Sequence, residues 1–374
     1  MSLANSPSVE AAWGQMIAAF EKQNPGVTIV RTPVAYGAGG SSYRVKAKLA
    51  ASSPSAPDLV EGDMGPGGVM SSLVADGLLH PLDSYSTQYG WPKKFGSFIA
   101  QLELSSDGKR VGNGPVYGIP DFAEILGVFY NKELLGKLGM QPPQTMADFE
   151  ATLKAAKAGG MTPITIGGLD QFPWSHLYDI ISDRYGSVPG LINWFRGVPG
   201  STVDTPQMTQ AAATLQSWYS AGYFEDGANG VSDADSGTRF AAGDALFHVS
   251  GPWYTEQALQ GLGQNAGFFL MPPLTAGAAA TSTGWMGWSV GVTSKSKYPT
   301  QAARFLDFLT GPTARAIMLK HDNPPGTPGT VYSPDTPPLV KIIGEQFTDL
   351  INKGTLVPYM DVAYPQVDPY NILA

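Results

Sequence analysis

Apolar positions recur along this chain with helical spacing in some stretches and as short unbroken runs in others. Val9, Ala12, Trp13, Met16, Ile17 and Phe20 lie three and four residues apart, which predicts an amphipathic helix over 9–23 capped by Ser6 or Ser8. Asn24-Pro25-Gly26 ends it, and the β-branched run 27–30 predicts a strand. Helical spacing returns over 43–51 and 69–79, with Leu59-Val60 as a short strand between them. Further on, helices are predicted over 132–138, 147–158, 174–185, 209–221, 236–242, 298–309 and 338–353, and strands over 163–166 and 245–249. Helices interleaved with short strands indicate an α/β fold with mixed sheets covered by helices.

The stretch 115–133, PVYGIPDFAEILGVFYNKE, stands out from this pattern. Turn residues Pro115, Gly118 and Pro120 lead into an apolar run over 125–130 that reads as a buried strand. Asp121 and Glu124 sit at its start, where a plain core strand would carry no carboxylates. A strand leaving one folded unit for another beside a cleft has a use for them. At 374 residues the chain is long enough for two domains with separate cores.

Charge and composition narrow the function. A net charge of −8, with no basic stripe, argues against a nucleic-acid partner. The absence of cysteine excludes disulfides, thiolate metal sites and cysteine nucleophiles. No run approaches the ~18 apolar residues of a membrane span, and no secretory leader is visible. Met-Ser-Leu followed by polar sequence reads as an added leader in place of a removed signal segment. The histidines His80, His176, His248 and His321 lack zincin spacing, and there is no G-x-S-x-G, P-loop or dinucleotide fingerprint. Asp233, Asp235 and Gly237 imitate the start of a calcium loop, but the glycine is misplaced and no closing glutamate follows. Neither a metal nor a cofactor is expected.

Local signatures then follow one another in a recognisable order. They run from Phe20-Glu21-Lys22-Gln23-Asn24-Pro25-Gly26 through Pro57-Asp58-Leu59-Val60, Gly77-Leu78-Leu79 and Tyr117-Gly118-Ile119-Pro120 to Tyr130-Asn131-Lys132. Phe240-Ala241-Ala242-Gly243-Asp244-Ala245, Ser250-Gly251-Pro252-Trp253, Gly284-Trp285 and Ala302-Ala303-Arg304-Phe305-Leu306 continue the series. Over nearly its whole length the chain resembles the family 1 extracellular solute-binding proteins, the sugar receptors of ABC importers. The resemblance implies a two-lobed periplasmic-binding-protein (type II) fold, with the ligand in a cleft at the hinge. It implies a first lobe of 1–121 plus 284–310 and a second of 122–283 plus 311–374. It further implies hinge closure, a carbohydrate ligand, a membrane permease as partner, a monomer, and a periplasmic or lipid-anchored location outside the membrane. Relatives begin with an apolar strand before the first helix; here residues 2–7 lead straight into that helix.

Sugar recognition needs flat apolar faces for C–H surfaces and a few placed polar groups for hydroxyls. Trp253 matches a tryptophan that stacks on ligand in maltose-binding relatives; the plainer alternative is a packing aromatic. Trp285 and Trp288, three apart on the returning strand, would face opposite ways, and Trp285 is taken for the cleft. Trp174 is a further candidate. Glu61 and Asp63 end a short strand, where open α/β sheets hold ligands, or are exposed loop carboxylates. Glu124 aligns with a sugar-binding carboxylate of the relatives, and Asp121 and Phe122 sit on the crossover. His321 and Asn323 either border the cleft or lie in a solvated loop. A polyamine, held by carboxylates and aromatics, or a glycerol phosphate, held by Arg31, Arg44 or Arg239, is the alternative ligand. The alternative of another class is a carbohydrate-active enzyme using a carboxylate pair.

Overall fold

A computed structural model describes residues 1–3, 6–34, 41–120, 123–285 and 288–360. Two helix-flanked sheets organise the chain, with a smaller sheet between them. In the first, Ser289–Val292 lies between Leu59–Gly62 and Ile119–Pro120 and runs antiparallel to both. In the second, the spatial order is Ala266–Phe269, Gly127–Asn131, Ala245–Ser250, Thr162–Thr165, with only the last pair parallel. The small sheet sets Ser282–Trp285 between Leu356–Val357 and Glu124–Ile125. Pro120 and Ser289 thus pair in the first sheet, while Glu124 and Trp285 pair in the small one.

The apolar run 125–130 is two strands, not one. Glu124–Ile125 pairs in the small sheet and Gly127–Asn131 in the second sheet. Between them the Leu126 N–H donates to the Thr283 carbonyl at 2.8 Å. A fully buried run carries no alternation, so its pattern cannot reveal where a ladder changes partner. Gly127 marks the place: a Cβ there would lie 2.2 Å from the Phe268 ring.

The first helix, Pro7–Gln23, starts where Ser6 accepts the Val9 N–H and Pro7 occupies its first turn. It buries Val9, Ala12, Trp13, Met16 and Phe20. Phe20 meets Phe305 and Phe308 of the helix Pro299–Leu309 edge-on, with centroids 5.0 and 5.5 Å apart. The helix Pro312–Lys320 packs against both of these helices and buries Ala314 and Met318. It keeps company with the first body, although the reading above placed everything after residue 310 in the second. The helix starting at Val69 stops at Ala75 rather than at residue 79, because Gly77 turns with φ +68° and Leu79 forms a bridge with Thr293.

The expected strand over 27–30 makes no ladder among the described residues. The ladder comes later, where Pro33–Val34 pairs in parallel with Ser2–Leu3. Met1 continues that short strand inward: its amine donates to the Leu59 carbonyl at 2.8 Å, and the Glu61 N–H donates to its carbonyl at 3.2 Å. Residues 1–3 thus lie along the strand Leu59–Gly62 of the first sheet and pair on their other side with Pro33–Val34.

Candidate functional site

The small sheet sets the geometry of the hinge. Glu124, 9% exposed, lies opposite Trp285 in the ladder, and Gly284 lies opposite Ile125. A Cβ on Gly284 would stand 2.5 Å from the Glu124 carbonyl oxygen, so the close strand approach requires glycine. Helix Phe172–Tyr185 holds this strand from the side. Thr283 donates its hydroxyl to Asp183 at 3.1 Å, and Arg184 donates to the carbonyls of Met271 (2.8 Å) and Thr281 (2.7 Å). Burial pushes the Asp183 carboxyl up to about 7, against the opposing pull of Arg184 and the Thr283 bonds.

The strand Ala245–Ser250 ends in Gly251, whose missing Cβ makes room for the Trp253 ring, which would otherwise be 2.1 Å away. The 3-10 turn Pro252–Tyr254 packs against Glu124–Ile125, which brings Trp253 and Glu124 into one neighbourhood. The His176 ring lies 5.8 Å from Trp253 and 5.0 Å from Tyr359, centroid to centroid. Burial lowers the His176 pKa to about 3, so the imidazole is neutral at physiological pH. Trp253, His176 and Tyr359 come from three distant segments and meet as tilted rings, with Trp253 half-buried in front of the buried His176 and Tyr359. Sequence reasoning took His176 only as a residue without metal spacing and missed Tyr359, because no local motif links a helix, a strand end and the tail.

The segment 323–327 borders the same crossing. The Ala123 N–H donates to the Pro324 carbonyl at 3.2 Å, and Asn323 is 7% exposed. The loop is packed, not solvated, at that residue. Ser8 joins the bodies here: its hydroxyl donates to the His321 carbonyl at 2.6 Å and its N–H to Glu256 at 3.3 Å. Burial first, and the Glu256 charge second, raise the Asp322 pKa.

On the first body, Glu61 is fully buried within its strand, and its carbonyl accepts the Tyr43 hydroxyl at 2.8 Å. Asp63 accepts the Val69 N–H at 3.0 Å and an Arg44 N–H at 3.3 Å. It thereby fixes the loop that opens the helix Val69–Ala75. Tyr43 meets Trp288 edge-on at 5.1 Å. Trp285 ends one strand and Trp288 precedes the next, so the alternation used to separate them does not apply. The Trp285 backbone is in the hinge ladder; its side chain lies outside what is described.

Trp174 belongs elsewhere. Its indole donates to Asn229 at 2.8 Å and packs edge-on against Phe224 at 4.9 Å. Two residues before His176 on one helix, it is turned away by about 200°. The structure does not bring it to Trp253. Asp121 and Phe122 lie outside the described residues. The stretch holding Asp233, Asp235 and Gly237 is the helix Asp233–Ala241, with Ser232 as its cap. Among the described residues, no group of three or more acidic or histidine side chains could hold a metal ion. No described helix is long and apolar enough to cross a membrane.

Comparison with known proteins agrees with this architecture. A family model described as bacterial extracellular solute-binding protein matches residues 4–316. A multiple sugar-binding protein of Streptococcus mutans is 26% identical over 251 residues, covering 63% of this chain and 57% of the relative. A maltooligosaccharide ABC transporter solute-binding lipoprotein of Streptococcus pneumoniae is 25% identical over 243 residues, covering 60% and 54%. Both alignments thus span little more than half of the relative. A solved structure from work on xylan utilization by Caldanaerobius polysaccharolyticus superposes with a TM-score of 0.82 at 22% identity, covering 100% of this chain and 93% of that one. The fold is the two-lobed periplasmic-binding-protein (type II) architecture with a cleft at the hinge. With the match running through most of its length, this chain belongs to the bacterial extracellular solute-binding protein family.

Proposed function

We propose that this chain is an extracytoplasmic receptor that captures a sugar or short oligosaccharide at the hinge and delivers it to the permease of an ABC importer. The observation that carries the reading is the half-buried Trp253 ring, backed by the buried His176 and Tyr359, on a turn that neighbours the strand of Glu124. An apolar face suits the C–H side of a pyranose, and a carboxylate next to it accepts hydroxyl hydrogen bonds. The relatives' names, sugar-binding and maltooligosaccharide-transporting, support the same class of ligand, and the word lipoprotein supports anchoring at the outer cell surface. The receptor acts as a monomer, binds no nucleic acid, and makes or breaks no covalent bond.

We assign direct ligand contact to Trp253 and Glu124, and to Asp121, Phe122 and Trp285 by their places on the crossings. Glu61, Asp63 and Trp174 support the walls rather than touch ligand. The first lobe is drawn as residues 1–120 with 289–320 and the second as 124–285 with 328–374, the third passage falling in 321–327. This keeps the helix Pro312–Lys320 with the helices it packs against.

Calorimetry against mono- and oligosaccharides tests the assignment. Saturable 1:1 binding near micromolar, about −8 kcal/mol, without release of sugar product is the expected result. Response to polyamines or glycerol phosphates alone would move the ligand class. Turnover of a glycoside would make the protein an enzyme.

A further inference from the structure

The first helix, Pro7–Gln23, has an opening turn that its own segment does not complete. Its first helical hydrogen bond runs from the Glu10 N–H to the Ser6 carbonyl at 2.9 Å, which leaves the amides of residues 7, 8 and 9 to other partners. Pro7 carries no N–H, and the Val9 N–H goes to the Ser6 hydroxyl at 3.4 Å. The Ser8 N–H goes to the Glu256 carboxylate at 3.3 Å, 248 positions along the chain. The Ser8 hydroxyl reaches across as well, to the His321 carbonyl at 2.6 Å.

Glu256 lies in the first turn of the helix Thr255–Leu262, three residues after Trp253, and is half-buried. Gln260, one turn further on, donates to its Oε1 at 3.0 Å, while Oε2 accepts from Ser8. The carboxylate therefore stands at two helix N-termini at once, its own and that of Pro7–Gln23, where negative charge is stabilised. Asp322 opposes this: it is near enough for the Glu256 charge to raise its pKa, though burial is the larger cause. The two helices belong to different packing groups. Thr255–Leu262 packs on the helix Asp233–Ala241 and on the strand Ala266–Phe269 of the second sheet. Pro7–Gln23 packs on Pro299–Leu309, which lies on Ser289–Val292 of the first.

We propose that Glu256 is a positioning residue that latches the first helix, and the lobe it carries, against the second lobe before any ligand is present. The proposal rests on the two-lobed reading above and not on the identity of the sugar. A cap from the same segment, such as Ser6, stabilises its helix wherever the rest of the molecule moves. A cap delivered from the other lobe is lost when the lobes part, so its free energy favours the closed arrangement alone. The ionised acceptor makes this bond stronger than a neutral one.

The chain has no cysteine, so nitroxide labels at Lys22→Cys and Gln216→Cys, both exposed helix positions, report the separation of the two lobes. Double electron–electron resonance on the sugar-free protein is the measurement. Glu256→Ala is expected to raise the ratio of long to short distances by about fivefold or more. Glu256→Lys, which sets a cation against the helix end, should raise it further. Glu256→Gln keeps an acceptor without the charge and should fall between the parent and Glu256→Ala. Distance distributions of Glu256→Ala and Glu256→Lys that match the parent would overturn the inference, and a fall in Tm without a change in distance would make Glu256 an ordinary cap. Because no sugar is added, a failure to bind carbohydrate would leave this result standing.

Discussion

Thr283 donates its hydroxyl to the Asp183 carboxylate at 3.1 Å, tying the hinge strand to a helix of the second lobe. Burial raises that carboxyl from 3.8 to about 7. Between those values the folded chain keeps a proton that the unfolded chain releases, so the contribution of Asp183 to stability is lost as pH rises toward 7. Asp183→Asn should therefore gain stability relative to the parent on going from pH 5 to pH 8. Urea denaturation at the two pH values measures this, and a difference between the proteins that stays constant with pH would show an ordinary carboxyl.

Trp253→Ala should weaken sugar binding by about 2 kcal/mol, roughly 30-fold, with Trp253→Phe between variant and parent. Trp174→Ala, which removes the bond to Asn229 and the packing on Phe224, should lower Tm while leaving affinity within about twofold. Calorimetry and thermal melts separate the two effects. Equal losses of affinity would put both rings on the ligand.

Asp63→Ala removes the acceptor of the Val69 N–H and the partner of Arg44. The loss of this buried hydrogen bond should cost about 1 kcal/mol of unfolding free energy. An affinity loss with unchanged denaturation midpoint would instead place Asp63 in contact with ligand.

Gly284→Ala forces a methyl group to within 2.5 Å of the Glu124 carbonyl oxygen and 2.8 Å of the Leu356 side chain. The small sheet must spread, and Tm should fall by several degrees, about 1–3 kcal/mol of overpacking. Sugar affinity should fall with it, since Glu124 moves too. Normal affinity and Tm would mean that the hinge strands have slack.

Helices with strong periodicity and clear punctuation were legible in the sequence. Pro338–Lys353 was read to the residue, because proline opens it and Gly354, at φ +66°, closes it. What failed were the places where tertiary partners decide. Residues 27–30 have strand composition but no ladder partner among the described residues, and the run through Leu126 changes partner without changing character. The helix Pro312–Lys320 follows Gly311-Pro312, which looks like a boundary locally, yet its buried Met318 keeps it with the first helix. Trp253 stands out in the sequence through Gly251-Pro252, and its ring lies against His176 in the structure. His176 and Tyr359 meet only after folding, and Asp63 reads as a loop carboxylate although it accepts the Val69 N–H and pairs with Arg44.

The pinning of Leu126 fixes the order in which the proposed receptor loads. Its N–H is held by the Thr283 carbonyl and its carbonyl by the Ser282 hydroxyl, at 2.8 and 2.6 Å, while Arg184 and Asp183 clamp the same strand. The hinge sheet is thereby tied to the second lobe, and in the proposed closure it would move with that lobe. In the proposed closure, Trp253 and Glu124 would then keep their spacing. Sugar would meet the second-lobe wall first and the first lobe would come down as the lid, so that capture would set the rate of arrival and the lid the residence time.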